Sequence, residues 1–238
     1  MARQIRLGDI AVDVVLKDIK NVHLSVYPPN GRVRIAAPSR MKLDTIRVFA
    51  VSKLTWIKRQ QIKIREQERE TNRLYLDRES HYLWGQRYLL TVLENERAPS
   101  IELKHRRLLL RVRPGTSTER KQAIMEAWYR DQLRAALAPL VAKWQPRLRV
   151  KVDRIFIQRM KTRWGGCTPG TRSLRVNTEL AKKPIDCLEY ILVHEMAHLR
   201  HPNHGPAFVA LMDQLMPNWR LIRAELNRLP VRHEDWGY

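Results

Sequence analysis

The chain has 238 residues, of which 44% are hydrophobic and 29% are charged, a balance that excludes a disordered polypeptide and predicts a packed core. Lys and Arg number 45 against 24 Asp and Glu, and the resulting net charge of +21 favours polyanions as partners. The two cysteines, Cys167 and Cys187, are too few for a secreted disulfide scaffold, so we expect a cytoplasmic protein with free thiols.

The sequence has no apolar segment of signal-peptide length near its start and no uninterrupted run of about 20 apolar residues. We therefore expect no association with a membrane. One explanation of the net charge is that the protein binds nucleic acid. Such binding should have no sequence preference, because no helix-turn-helix or zinc-finger signature is evident. The other explanation is that the cations lie on solvated helix faces.

Alternating apolar and polar residues over 3–37 predict a β-hairpin around the turn Pro28-Pro29-Asn30-Gly31. From Leu43 the spacing of apolar residues becomes helical and predicts one helix that runs towards Glu70. The apolar stripe of this helix consists of Ile46, Phe49, Ala50, Leu54, Ile57 and Ile64. Its opposite face is basic and consists of Lys53, Lys58, Arg59 and Lys63, where we expect nucleic acid to bind first.

A second β-rich stretch is predicted at Tyr82–Leu93, Ile101–Lys104 and Leu108–Val112. A long helix should follow, capped by one of residues 116–118 and stopped by Pro146, with a kink or a division at Pro139. Beyond it, Val152–Gln158 and Ser173–Asn177 are predicted strands, and Lys161–Gly170 is a predicted loop. The last three predicted helices cover Pro184 to Pro202, Pro206 to about Leu215, and Arg220–Leu229.

These elements predict an α+β fold in three parts. Residues 1–115 form a β-rich N-terminal region with one basic helix, residues 116–230 form a second domain that contains the long helix, and residues 231–238 form a tail. The sequence shows neither an internal repeat nor a low-complexity tract.

The run His194-Glu195-Met196-Ala197-His198 places two imidazoles one turn apart on the same helical face, where they can bind one tetrahedral ion. Glu195 between them is the candidate general base, which would take a proton from a metal-activated water. The rest of this helix is mostly apolar, and burying two His and one Glu there without partners would be costly. The motif therefore predicts a zinc site.

A catalytic zinc needs a third protein ligand, and His201 and His204 are the two candidates. On one straight helix, His201 lies roughly 10 Å from His194 along the axis, which is too far for a shared ion. Pro202 ends the helix and Asn203 favours a turn, so that His204 can return towards the ion. We predict that His194, His198 and His204 bind zinc, and that His201 lies beside the site or faces solvent.

Three segments resemble the YgjP-like metallopeptidase family: RMKTRWGGC at 159–167, LRVNTEL at 174–180 and VHEMAHLRHPNHGPAF at 193–208. The N-terminal hairpin and the segment KLTWIKRQ near residue 56 are also similar to that family, so the resemblance covers nearly the whole chain. The related SprT-like and WLM proteases share a compact zincin core, and some of them process proteins bound to DNA. The metzincin pattern HExxHxxGxxH does not fit, because it requires Gly where this chain has His201.

The resemblance implies that His194, His198 and His204 bind zinc and that Glu195 is catalytic. In zincins, a strand beside the metal helix pairs with an extended peptide substrate, and the two strands after Pro146 are the candidates. The loop before Cys167 should line the cleft, with Arg163 or Trp164 contacting substrate. The alternative is that Arg163 is an ordinary surface residue and Trp164 is buried. Cys167 is expected to be a packed thiol rather than a thiolate that blocks the metal.

The sequence therefore predicts a zincin-like peptidase that hydrolyses peptide bonds through a zinc-activated water, with a polypeptide as substrate. Two alternatives remain: a nucleic-acid-associated module in which zinc only stabilises the fold, and a metal-dependent hydrolase of non-peptide substrates. Glu195 argues against the first alternative, because a structural zinc site has no need of a base.

Overall fold

The computed structural model describes residues 3–27, 30–66, 74–160 and 163–229. They form a mixed α and β structure that divides into two compact units, residues 3–66 and residues 74–229. No helix within these ranges is both long enough and apolar enough to cross a membrane. The predicted tail at 231–238 lies outside the described residues.

The first unit contains a four-stranded sheet of β1 (Arg3–Leu7), β2 (Ile10–Lys17), β3 (His23–Tyr27) and β4 (Arg32–Pro38). The strand order is β1-β2-β4-β3, with β2 and β4 parallel and the other pairs antiparallel. Val12, Val14, Val33 and Ile35 are completely buried, as the alternating pattern requires. The predicted hairpin is confirmed as β3 and β4, and its residues 28 and 29 lie outside the described residues.

Two helices cover one face of this sheet, α1 (Leu43–Ser52) and α2 (Leu54–Glu66). The prediction of a single helix is wrong, because the Lys53 amide donates back to Ala50 and closes α1 before α2 begins. The apolar stripe continues across this interruption, which is why the spacing does not reveal it. The side chains of Lys53, Lys58 and Arg59 are exposed, and that of Lys63 lies outside the description.

The second unit begins with a sheet of β5 (Ser80–Leu83), β6 (Gln86–Glu94), β7 (Ser100–Lys104) and β8 (Arg107–Val112), in the order β5-β6-β8-β7. The predicted stretch Tyr82–Leu93 is therefore two strands, joined by a turn at Trp84 and Gly85, which have φ values of 50° and 79°. Leu90, Leu108 and Leu110 share one core with the following helices. Among the described residues, the two compact units separate between residues 66 and 74.

Helix α3 (Thr118–Leu148) has 31 residues and is capped by the Ser117 side chain, which accepts a hydrogen bond from the Arg120 amide. The prediction that Pro146 stops it is wrong, and it continues undivided through Pro139. Each proline removes one helical hydrogen bond, but the buried side chains Leu137, Trp144 and Leu148 hold the helix against the core. The helix ends at Arg149, which adopts the left-handed conformation.

A three-stranded sheet follows, with β9 (Arg154–Gln158), β10 (Gly165–Thr168) and β11 (Ser173–Asn177) in the order β10-β11-β9. The predicted loop at Lys161–Gly170 therefore contains a strand. The last helices are α4 (Ile185–Ala197), α5 (Pro206–Leu215) and α6 (Trp219–Arg228). Helix α4 packs against α3, α5, α6 and β10, and it is the element that positions the candidate site.

Candidate metal centre

Helix α4 carries the first two histidines of the motif. It starts after Pro184, whose missing amide costs nothing at a helix start, and it buries an almost continuous apolar sequence. His194 and Glu195 lie in its last turn and His198 follows directly after its end, so that the two imidazole rings are 5.0 Å apart. The spacing of four residues therefore brings both rings to the same end of the helix.

The chain turns back immediately after α4. The helix ends at Ala197, five residues before the predicted stop at Pro202, and the His201 amide closes the end by donating to the Ala197 carbonyl at 2.9 Å. The turn brings His204 over the motif, where its Nε2 atom lies 3.0 Å from Nε2 of His194. His194, His198 and His204 each offer one ligand atom within 4.8 Å of the others.

This donor set fits a tetrahedral zinc ion. Two imidazole nitrogens bound to the same zinc at about 2.0–2.1 Å lie roughly 3.3 Å from each other. The observed separations, from 3.0 Å up to 4.8 Å, lie around that value, and small side-chain rotations would equalise them. The buried Nδ1 atom of His194 has no hydrogen-bond partner within the described residues.

His201 does not belong to this cluster, and its backbone instead contacts one of the three clustered histidines. Its carbonyl oxygen lies 3.1 Å from Nδ1 of His198. If that nitrogen carries the proton, as the contact requires, Nε2 of His198 keeps its lone pair for a metal. The His201 backbone would then fix the tautomer and the orientation of a neighbouring ligand.

Phe208, which the sequence analysis did not single out, packs beneath all three histidines. Its buried ring lies 5.0 Å from the ring of His194 and 4.8 Å from those of His198 and His204. It stands in the first turn of α5, four residues after His204, a spacing that could have identified it. The three imidazoles thus pack against one buried apolar ring.

The environment of His194 and His204 favours the neutral imidazole, the form that binds metal. Burial lowers the pKa of His194 to about 3, with further lowering by the charges of His198, His204 and Arg223. Burial also lowers the pKa of His204, and the neighbouring His198 and Arg223 lower it further. Arg223 on α6 was not recognised in the sequence, because only the tertiary structure brings its charge near the cluster.

Glu195 is enclosed by strand β10. A Cβ atom placed on Gly165 would lie 2.8 Å from both Cγ and Oε1 of Glu195 and 2.9 Å from Ile191, so only glycine fits there. Glu195 is 7% exposed, and this burial raises the pKa of its carboxyl to about 7, while Arg163 opposes the shift. A carboxyl with a pKa near neutrality can accept and release a proton under working conditions.

The segment before β10 contains the predicted substrate contacts. Asn177 holds it in place, since its side-chain amide donates to the carbonyls of Met160 and Arg163 at 2.8 and 2.7 Å. The Arg163 side chain is exposed, whereas Trp164 is partly buried against the core. Burial and the charge of Glu195 raise the pKa of the Cys167 thiol to about 11, which keeps it protonated, as expected of a packed thiol.

Comparison with known proteins identifies related sequences and folds. The family described as YgjP-like, metallopeptidase domain, matches residues 20–229. No curated protein matches the chain. The structure is similar to the metallopeptidase zymogen of Methanocaldococcus jannaschii jannalysin, with 22% identity and a TM-score of 0.34 over 37% of this chain and 84% of that one. It is also similar to the metallopeptidase zymogen of Pyrococcus abyssi abylysin, with 19% identity and a TM-score of 0.32. This match covers 43% of this chain and 99% of abylysin.

Proposed function

Because this chain belongs to the YgjP-like metallopeptidase family and is therefore a metal-dependent peptidase, we propose that its metal is zinc and that Glu195 is the general base. The ligands would be His194, His198 and His204, with α4 as the active-site helix of a zincin-like domain. The observation that carries this proposal is the convergence of three imidazoles at the end of the helix that also carries the buried carboxyl of Glu195. When bound there, zinc supplies a Lewis acid that polarises the substrate carbonyl and makes water more acidic.

The residues of the chain supply the proton transfers. The Glu195 carboxylate takes a proton from the attacking water, whose oxygen adds to the carbonyl carbon of the scissile bond. Glu195 then gives this proton to the departing amide nitrogen as the carbon–nitrogen bond breaks. Gly165 leaves space for the Glu195 carboxyl, and Phe208 packs against all three histidine rings.

We propose β10 as the strand that pairs with an extended substrate. Of the two strands predicted for this role, Ser173–Asn177 is unsuitable, because it is central and both of its edges already carry neighbouring strands. Val152–Gln158 contains the other edge strand, β9. Among the described residues, β10 has a neighbouring strand on one side only, and its Gly165 lies against Glu195, so a peptide along it would lie next to the proposed base. Arg163, exposed just before β10, is the proposed side-chain contact, and Trp164 supports it from the core side.

Incubation of zinc-loaded protein with an unfolded polypeptide, followed by mass spectrometry of the products, tests this function. Wild-type protein should generate new N-termini, and Glu195→Gln should reduce the rate by about 10² or more while keeping zinc, because the amide preserves shape and removes the base. Asp186→Asn is the matched control, since this exposed carboxylate lies at the other end of α4. It should cleave like wild type.

The same experiment separates the alternatives. Bound zinc without any cleavage by wild-type protein would favour a zinc module without peptidase activity. Cleavage by Glu195→Gln at the wild-type rate would exclude Glu195 as the general base.

A further inference from the structure

A cleft of about 550 Å³ opens at one end of the sheet β5-β6-β8-β7, between the start of β6 and the turn that joins β7 to β8. It is lined by Gln86, Arg87, Tyr88, Leu89, His105 and Arg106. None of these residues is acidic, and we call this feature the Arg87 cleft. Its composition points to an anionic ligand.

The cationic groups of the cleft are held on a fixed frame. Nε of Arg87 donates to the Ser80 hydroxyl at 2.8 Å, which orients the guanidinium and leaves its two terminal nitrogens to bind an oxyanion. The carbonyl of Arg106 accepts a hydrogen bond from the Leu89 amide at 3.0 Å, so the turn that carries His105 and Arg106 is fastened to β6. The side chains of Arg87, His105 and Arg106 are all exposed.

The surroundings of the cleft are also positive. Lys104 and Arg107 flank the turn, which makes residues 104–107 a continuous basic run. The Glu102 carboxylate, on the neighbouring strand, is engaged by Arg111 at 2.8 Å. This group of cations, Arg87 with Lys104, Arg106 and Arg107, suits a ligand with repeated negative charges better than a single carboxylate.

An aromatic ring adjoins these cations. Tyr82 pairs directly with Arg87 across the two strands, so both side chains lie on the same face of the sheet. On that face Leu89 pairs with Arg107, and Tyr82 and Leu89 are 37% and 38% exposed. Cations beside an accessible ring match a chain in which phosphates alternate with bases that can stack.

We propose that the Arg87 cleft and the adjoining sheet face bind single-stranded nucleic acid. A backbone phosphate is held by Arg87, Arg106 and His105, and a neighbouring base stacks on Tyr82. A duplex is a poorer ligand, because its base faces are covered by stacking within the helix. This site lies in the unit that carries the histidine cluster, whereas the basic face predicted from the sequence lies on α2.

Fluorescence anisotropy of the full chain with a labelled oligothymidylate, across a salt series, tests the proposal. Arg87→Ala/Arg106→Ala should weaken binding at low salt at least about tenfold. The plot of log K against log salt has a negative slope, and its magnitude should decrease by about 0.7 for each lost phosphate contact. Tyr82→Leu should weaken binding at least about fivefold and leave the slope unchanged, because stacking releases no counterions. Zinc content and circular dichroism should remain those of wild type.

The control Arg97→Ala/Arg113→Ala removes the same charge from exposed positions that follow the far ends of β6 and β8, and it should bind nearly as wild type. The proposal is overturned if the cleft variant binds like this control, or if only Lys58→Ala/Arg59→Ala on α2 loses binding. Equal competition by polyglutamate of matched charge would overturn it in favour of an acidic polypeptide. Tighter binding of a duplex with no effect of Tyr82→Leu would also contradict it.

Discussion

At the scale of single residues, the candidate site depends on contacts that orient a few polar groups. The carbonyl oxygen of His201 lies within hydrogen-bond distance of Nδ1 of His198, and Gly165 leaves just enough space for the Glu195 carboxyl. Neither residue carries the proposed chemistry itself. Both act on the orientation of a group that does carry it, His201 through its backbone and Gly165 through its lack of a side chain.

The three clustered histidines should each be necessary for zinc. Purified wild-type protein should contain about one zinc per chain, and His194→Ala, His198→Ala or His204→Ala should lose it, because two remaining imidazoles bind too weakly. His201→Ala should keep its zinc, since its contact with His198 is made by the backbone. Metal analysis of the four variants by mass spectrometry measures this. Zinc kept by His204→Ala and lost by His201→Ala would reverse the assignment of the third ligand.

Gly165→Ala should reduce peptide hydrolysis at least about tenfold while zinc stays bound, because a misplaced catalytic group costs rate without removing a ligand. The new methyl group would occupy the space of Cγ and Oε1 of Glu195. Gly170→Ala is the matched control, because Gly170 lies beyond the end of β10 and a Cβ atom there meets no atom within 4 Å. Steady-state rates and zinc content of both variants provide the measurement, and equal activity in the two would show that Glu195 tolerates displacement.

At the scale of elements, packing decides where helices and strands end. Helix α3 passes through two prolines because its buried side chains hold it, and α1 and α2 separate at Lys53 although the apolar stripe continues. Strand β10 forms within a glycine-containing segment because β11 offers a partner edge. Local signals do decide the starts of helices, as Ser117 and Pro184 show.

Ser117→Ala should lower the free energy of unfolding by about 1 kcal/mol, because the Arg120 amide loses its capping acceptor. Thr118→Ala, one residue further along, should change it by much less, since Thr118 is already inside the helix. Urea denaturation of both variants, followed by circular dichroism, compares them. A loss in Thr118→Ala as large as that in Ser117→Ala would mean that the cap is not the origin of the effect.

At the scale of the whole molecule, the described residues form two units, each with its own core. One core contains Val14, Ile35 and Ile46, and the other runs from Tyr75 to Leu226 and contains the residues around the histidine cluster. No buried residue belongs to both cores among the residues described. Each unit therefore has the apolar burial that cooperative folding requires.

Ile35→Ala should destabilise the first unit by about 2–5 kcal/mol, because it leaves a cavity in a completely buried position. Hydrogen exchange should become faster in residues 3–66 and stay unchanged in α4, and zinc should be retained. Leu133→Ala is the reciprocal variant and should affect the second unit alone. Peptide-resolved exchange measured by mass spectrometry checks both. Equal acceleration in both units would show that they unfold together.

The sequence by itself determined the features that depend on near neighbours. His194 and His198 share a face because a helix repeats every 3.6 residues, and that period follows from the chain alone. His204 was predicted to join them because Pro202 and Asn203 favour a turn directly before it. The structure brings these three histidines together. The alternation in β3 and β4 and the helix Pro206–Leu215 were predictable for the same reason.

Only the tertiary structure decided which distant segments meet. Gly165 and Glu195 are thirty positions apart, and their contact exists because β10 pairs with β11 beside α4. The same holds for Arg223 on α6, whose charge lies near the cluster, and for β10, which is an edge strand of its sheet whereas β11 is central. Such contacts form because folding buries a whole hydrophobic core, and many residues contribute to that free energy at once. The spacing of residues within one segment does not reveal which distant segments will meet.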